Sequence, residues 1–179
     1  QKELRIFAPF KKDNSATQEE DYSFAPLAEK YSGIFTPYRA TEPLKSFFTA
    51  PRQEIARYFN LTPGTRDSGP SVILGAKNCD LTSLKIQDFV FLEGLEVDSF
   101  YRLRRENTIL ITSDCTAFRK ACFCLSLDIL PYPVQGFDLN LSPLSDGYLV
   151  ESGSHRAEEL IEKYRRYFNP AREAQIEGR

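Results

Sequence analysis

The residues best suited to chemistry in this sequence are its four cysteines, Cys79, Cys115, Cys122 and Cys124. The last three fall close together as C-x6-C-x-C. Thiols grouped in this way can form disulfides, act as small core residues, or bind metal as thiolates. Disulfides fit poorly, because adjacent C-x-C cysteines bond to each other only with difficulty and nothing at the N-terminus reads as a signal peptide. Two N-x-S/T tripeptides, at Asn60 and Asn140, are short enough to arise by chance. Independent core cysteines have no reason to gather at the ends of strands. Four thiolates suit either a zinc ion or an iron–sulfur cluster. The spacing alone does not choose between them, since neither paired C-x2-C nor C-x2-C-x2-C-x3-C occurs.

Other chemistry is poorly served. The single histidine, His155, excludes a two-His metal motif and leaves a Cys–His pair dependent on the first turn of an amphipathic helix, where a solvated or capping role fits better. Gly64 and Gly69 have phosphate-loop spacing, but Pro70-Ser71 stands where Lys and Ser/Thr are needed, and there is no G-x-G-x-x-G. Arg102, Arg104 and Arg105, with Lys77, Arg119 and Lys120 beside the cysteines, read first as a solvated surface. Their alternative is to offset the charge of a thiolate site or dock an acidic partner.

The elements that must position the cysteines are clearest in the middle of the chain. Ser71-Val72-Ile73-Leu74 and Thr108-Ile109-Leu110-Ile111-Thr112 are short apolar runs of the buried-strand kind. Between them lie a helix with Asp80 as its expected N-cap and a basic helix over Val97 to Glu106. Parallel strands in such a unit end at one sheet edge, which brings Cys79 and Cys115 together. Cys122 and Cys124 follow within one loop. Earlier, Leu4 to Phe7 reads as a strand, Lys11 to Asp21 as an exposed loop, and Pro43 to Phe48 and Arg52 to Phe59 as short helices. Leu61 to Pro70 is a loop. Later, Phe137 to Leu141 and Tyr148 to Glu151 suggest a hairpin with a turn longer than two residues. Ser154 then caps a helix to about Phe168, with Leu160, Ile161, Tyr164 and Phe168 on one stripe. The expected fold class is α/β: a single domain with a strand-helix-strand unit, a C-terminal hairpin and a terminal helix.

Composition sets the outer bounds. The chain has 179 residues, 23 Lys+Arg against 25 Asp+Glu, and a net charge of −2. This lacks the basic excess of a nucleic-acid binder, and no apolar run is long enough for a membrane span. There is no methionine, and Ile176-Glu177-Gly178-Arg179 spells a protease tag site, so a processed chain or a fragment is expected.

Several ordered segments resemble the hydrogenase beta-subunit and anaerobic sulfite reductase A-subunit family. Gly75-Ala76-Lys77-Asn78-Cys79-Asp80-Leu81 is similar to its Gly-x-Arg-Pro-Cys-Asp-Leu segment. Asp114-Cys115-Thr116 and Ala121-Cys122-Phe123-Cys124 are similar to its Asn-Cys-Thr and Thr-Cys-Phe-Cys elements, and Gly136 to Leu139, Asp146 to Glu151 and Gly153-Ser154 follow in order. The best match covers about 43–160. Departures include Lys77-Asn78 for Arg-Pro and a missing Met-Gly-x-Gly after the Cys-x-Cys. The resemblance implies an α/β iron–sulfur domain over 1–168, with 169–179 as a linker or tag remnant towards an absent ferredoxin-like domain. It implies that Cys79, Cys115, Cys122 and Cys124 hold a 4Fe-4S cluster, with zinc as the alternative. Electrons would pass between a flavoprotein or ferredoxin partner and a catalytic subunit, with no catalytic residues in this domain and buried aromatics such as Phe123 shielding the cluster. A cytoplasmic location is expected. The rivals are a structural zinc or metal-free docking domain and a reductase using Cys79.

Overall fold

In a computed structural model, residues 3–12, 20–27, 35–51 and 69–177 are described. Their strands are β1 (Arg5–Lys11), β2 (Tyr22–Pro26), β3 (Ser71–Ala76), β4 (Thr108–Ser113), β5 (Leu139–Leu144) and β6 (Gly147–Ser152). They form one six-stranded sheet in the order β2-β1-β3-β4-β5-β6. The neighbours β1, β3, β4 and β5 run parallel, while β2 and β6 are antiparallel edges. The α/β reading and its strand-helix-strand centre therefore hold, and the fold is a single domain.

Between β3 and β4 the chain forms α1 (Asn78–Leu92) and α2 (Ser99–Glu106). After β6 come α3 (His155–Lys163), a 3-10 turn at Arg165–Tyr167 and the short α4 (Glu173–Glu177). The apolar runs became central strands because both faces need covering there: Ile73 and Leu110 meet Leu81, Leu84 and Tyr101 from the helices. Leu44 and Phe48, on and just after the 3-10 turn Leu44–Phe47, and Phe137 complete this core. Each such apolar side chain contributes roughly 1.5–3 kcal/mol by leaving water.

Several boundaries differ from expectation for local reasons. The strand at Leu4 to Phe7 runs on to Lys11, because β2 adds pairing from Phe7↔Pro26 to Lys11↔Tyr22. Pro9 is tolerated because β3 pairs only Arg5 to Phe7, so no ladder N–H is required there. The helix foreseen over Pro43 to Phe48 is only a 3-10 turn. The hairpin strands extend until two residues, Ser145 and Asp146, join them, so the turn is shorter than expected. The terminal helix stops at Lys163, with Ser154 capping it by accepting from the Ala157 N–H. The expected helix over 52–59, most of the 61–70 loop, residues 13–19 of the N-terminal loop, Asn60 and Gly64 lie outside the described residues.

Candidate functional site: four thiols at one sheet edge

Two glycine-dependent features shape the chain around the site. The β3–β4 register slips between Leu74↔Ile111 and Ala76↔Thr112, leaving Gly75 as an extra residue at φ +73°. That left-handed geometry favours glycine, and the bulge re-aims the strand end that leads to Lys77 and Cys79. At the other sheet edge, a Cβ on Gly153 would lie 2.6 Å from the Phe137 carbonyl, so only glycine lets β6 leave the sheet beside Asp138.

Helix α1 begins earlier than the sequence suggested. Lys77, not Asp80, is its N-cap, and Asp80 reaches back to accept from the Lys77 N–H at 3.3 Å. Cys79 therefore sits in the first helical turn, just past the end of β3. Cys115 lies two residues past β4 and is fixed by its N–H donating to the Pro131 carbonyl at 2.8 Å. The 114–138 connection makes a parallel crossover to β5 with a single 3-10 turn, Cys124–Leu127. Cys122 is held in a tight turn, where the Arg119 N–H donates to its Sγ at 3.2 Å and the Cys122 N–H donates to the Arg119 carbonyl at 3.0 Å. The Ile129 N–H donates to the Cys124 carbonyl at 2.9 Å. Asn78 ties the returning arm of this loop to α1, its amide donating to the carbonyls of Leu130 and Tyr132 at 2.9 and 3.0 Å.

All four cysteines are free thiols, and all four line one cavity of about 160 Å³ with Asn78, Leu125 and Pro131 among its walls. A second recess shares Cys79, Cys122 and Cys124 with it and is also lined by Arg39. Among the described residues, no group of three His, Cys, Asp or Glu side chains is arranged to hold a metal ion. The arrangement is a shared chamber lined by all four cysteines. A water molecule takes about 30 Å³, so the chamber has room for a group well beyond a single atom.

The electrostatics are unusual at two residues. Lys77 is fully buried (0% exposed), and its Nζ donates to Thr36 O at 2.6 Å, Ser113 Oγ at 2.8 Å and Asp114 O at 2.9 Å. Burial lowers its pKa to about 8, against the pull of Cys115, Asp114, Asp80 and Cys79. Burial pushes the Cys79 thiol up, reinforced by Asp80 and Cys124 and opposed by Arg39. Cys115 is also raised by burial, with Lys77 the leading opposing influence. Arg39 lies 3.5 Å from the buried Asp80 carboxylate, yet its Nε is buried with no hydrogen-bond partner among the described residues. An acceptor arriving in the adjoining recess would satisfy that donor. Four thiols, once deprotonated, are electron-pair donors suited to a thiophilic metal centre, and a cationic N–H beside them offsets part of the negative charge that four thiolates bring.

The expected basic face proves structural. Arg105 grips Asp88 with two hydrogen bonds of 2.9 Å and lies over the Phe48 ring, while Arg104 donates to the Phe48 carbonyl at 3.0 Å. Both end α2 just before β4 starts, at the opposite sheet edge from the thiols. Neither can offset charge at the cysteine chamber, and Arg102 alone of the three is exposed. Arg119 pairs with Asp21 at 2.8 Å. Phe123 is half exposed and not a buried shield. His155 is exposed beside Glu159, also at the far edge, away from Cys79. Asn140 is fully buried in β5, donating to Asp114 Oδ1 at 2.9 Å and accepting from Thr112 Oγ1 at 2.8 Å, so that sequon is structural.

Sequence reasoning missed Arg39 entirely and placed Lys77 among solvated charges. A lysine next to a cysteine carries no local sign of burial, and Arg39 reaches the site only through tertiary folding.

Comparison with known proteins gives one clear likeness. The chain is 30% identical over 158 residues to Sulfhydrogenase 2 subunit beta of Pyrococcus furiosus, a match covering 88% of this chain. The match spans only 45% of that protein's length. No protein-family model matches, and neither does any solved structure.

Proposed function

We propose that this chain is a hydrogenase beta-subunit-like electron-transfer domain in which Cys79, Cys115, Cys122 and Cys124 hold one 4Fe-4S cluster. The observation that carries this reading is the convergence of all four thiols, from three separate stretches of chain, on one chamber at the carboxyl edge of the parallel strands. The likeness to a protein named as a hydrogenase subunit supports it. Four thiolates around zinc sit roughly 3.8 Å apart, from Zn–S bonds near 2.3 Å. A four-iron cluster needs its thiolates farther apart, and a chamber of about 160 Å³ lined by all four cysteines leaves room for it. When bound, such a cluster takes up and releases one electron at a time.

The chain's own residues have separable tasks. Cys79 is set by the start of α1, Cys115 by its bond to Pro131, and Cys122 and Cys124 by the turn that encloses them. Asn78 ties the returning arm of the loop to α1. The loop also carries exposed apolar side chains, Phe118 (81%), Leu125 (81%) and Leu127 (61%). Apolar surface of this kind beside the chamber suits docking of another redox subunit, either the electron donor or a catalytic subunit. Among the described residues, no helix is long and apolar enough to cross a membrane.

Anaerobic reconstitution with iron and sulfide, followed by iron, sulfide and zinc analysis, tests the reading. A brown protein with about four irons and four sulfides per chain is expected. A colourless protein containing stoichiometric zinc would instead support a structural metal site.

A further inference from the structure

Burying an ammonium group is costly unless a negative charge compensates it. Lys77 is fully buried, yet the three oxygens that receive its Nζ hydrogen bonds are neutral: two backbone carbonyls and a serine hydroxyl. Two other cations that hold the fold together behave differently. Arg105 is matched to Asp88 and Arg156 to Asp138, each through paired hydrogen bonds to a carboxylate. The buried Asp80 beside Lys77 receives the Lys77 backbone N–H and faces Arg39, so its charge is already engaged. The field of the Lys77 ammonium acts most on Cys115, then on Asp114, Asp80 and Cys79, so two of the four groups it favours are site cysteines. Its position is rigid, because its three acceptors come from residue 36, the end of β4 and the residue preceding Cys115.

We propose that Lys77 is the built-in counter-cation of the cysteine chamber, a positioning residue that holds the two strand-end cysteine segments together and raises the reduction potential of the cluster they bind. The proposal rests on the cluster reading. A fixed positive charge near a cluster stabilises the form with one more electron over the form without it. Lysine reaches this role by its length: from the N-cap of α1 its Nζ reaches Ser113, the last residue of β4.

The test is redox titration of the anaerobically reconstituted chain near neutral pH, followed by its visible and electron paramagnetic resonance spectra. Lys77→Gln removes the charge and keeps a donor. It should bind iron and sulfide as the parent does, but with the reduced-to-oxidised ratio at a given potential lowered at least tenfold, a shift of about 59 mV to the negative side for one electron. Lys77→Arg keeps the charge and should stay close to the parent. Ser113→Ala, which removes one tie and leaves the ammonium, should leave the potential unchanged. Should Lys77→Gln not fold, Ser113→Asp sets a carboxylate against Nζ, cancels the charge with the lysine in place, and should shift the potential in the same negative direction. A parent that takes up no iron and sulfide overturns both this role and the cluster reading. A loaded parent whose potential matches that of the folded neutralised variant overturns the role of Lys77 alone.

Discussion

The two edges of the parallel sheet handle buried charge in opposite ways. At the amino edge, Asp138 is buried and surrounded by donors: Arg156 Nε at 2.6 Å and Nη2 at 2.8 Å, Ser154 Oγ at 2.6 Å and the Leu110 N–H at 2.8 Å. Arg156 also donates to the carbonyls of Glu106 and Thr108, so one residue fastens α3 to the start of β4. On the adjoining helices, Asp88 accepts from Arg105 and the Tyr101 hydroxyl. There, every named charge meets an opposite charge of the same chain. At the carboxyl edge, Lys77 rests on neutral oxygens, Arg39 keeps an unmatched Nε, and four thiols face a shared space. One edge pairs its buried charges within the chain, and the other leaves a buried lysine on neutral oxygens beside four thiols. Stability and function should therefore separate by edge.

The largest effect on stability should come from breaking the complete edge. Arg156→Ala leaves Asp138 buried without its counter-ion and should cost about 3 kcal/mol, read as a lower denaturation midpoint in urea. Iron uptake by the folded variant should match the parent. Destabilisation together with loss of iron would mean that the two edges are not independent.

Acid sharpens the same contrast. Burial pushes the Asp138 carboxyl up, but Arg156, Ser154 and the Leu110 N–H outweigh it and hold its pKa below the ordinary carboxylate value. Asp88 is likewise opposed by burial and held down by Arg105 and Tyr101. A carboxyl whose folded pKa is depressed contributes stability above its unfolded pKa, near ~3.9, and that stability is lost as pH falls through the folded value. The parent should lose stability progressively below about pH 4, and Arg156→Ala should lose less over that range because its Asp138 is no longer depressed. Equal acid sensitivity of the two proteins would remove Asp138 from this account.

A smaller loss should follow Arg105→Ala, about 1–2 kcal/mol, because its pair with Asp88 is only half buried and Tyr101 still donates to that carboxylate. Thermal unfolding of the variant checks it. If weakening docking to a partner subunit were its main effect, with stability unchanged, the basic face would regain the functional role that its contacts deny it.

Much of this architecture was legible because it is written locally. The runs at Ser71 and Thr108 are apolar on both alternating faces, and such runs have little choice but to be central strands. Ser154 is a capping residue placed just before helical periodicity, and it caps, whereas Asp98, read as lying inside the helix over Val97 to Glu106, is the actual cap there and accepts from the N–H groups of Phe100 and Tyr101. The shared edge for Cys79 and Cys115 followed from the parallel strand-helix-strand unit. What escaped were features created by distant partners. The strand β2 exists because β1 lies beside it, and its Tyr22 packs edge to face on Tyr38. Lys77 looks like any surface lysine until Thr36, Ser113 and Asp114 close over it. Arg104 and Arg105 look like a solvated face until Asp88 and Phe48 claim them.

The smallest stability effect should come from the open edge itself. Cys122 is exposed, so Cys122→Ser should change the unfolding free energy of the metal-free protein by less than about 0.5 kcal/mol. The same substitution should sharply reduce iron content after reconstitution. A large loss of stability in the metal-free variant would make this thiol a packing residue instead.

Native mass spectrometry under anaerobic conditions tests the central claim most directly, since it weighs what the chamber holds in each folded chain. The parent should carry one added mass equal to four irons and four sulfides, and the single variants Cys79→Ser, Cys115→Ser, Cys122→Ser and Cys124→Ser should each lose most of it while keeping the charge-state distribution of a folded protein. A parent carrying only zinc or no added mass, or variants that all retain the full cluster mass, would contradict the assignment of the four thiols to one iron–sulfur site.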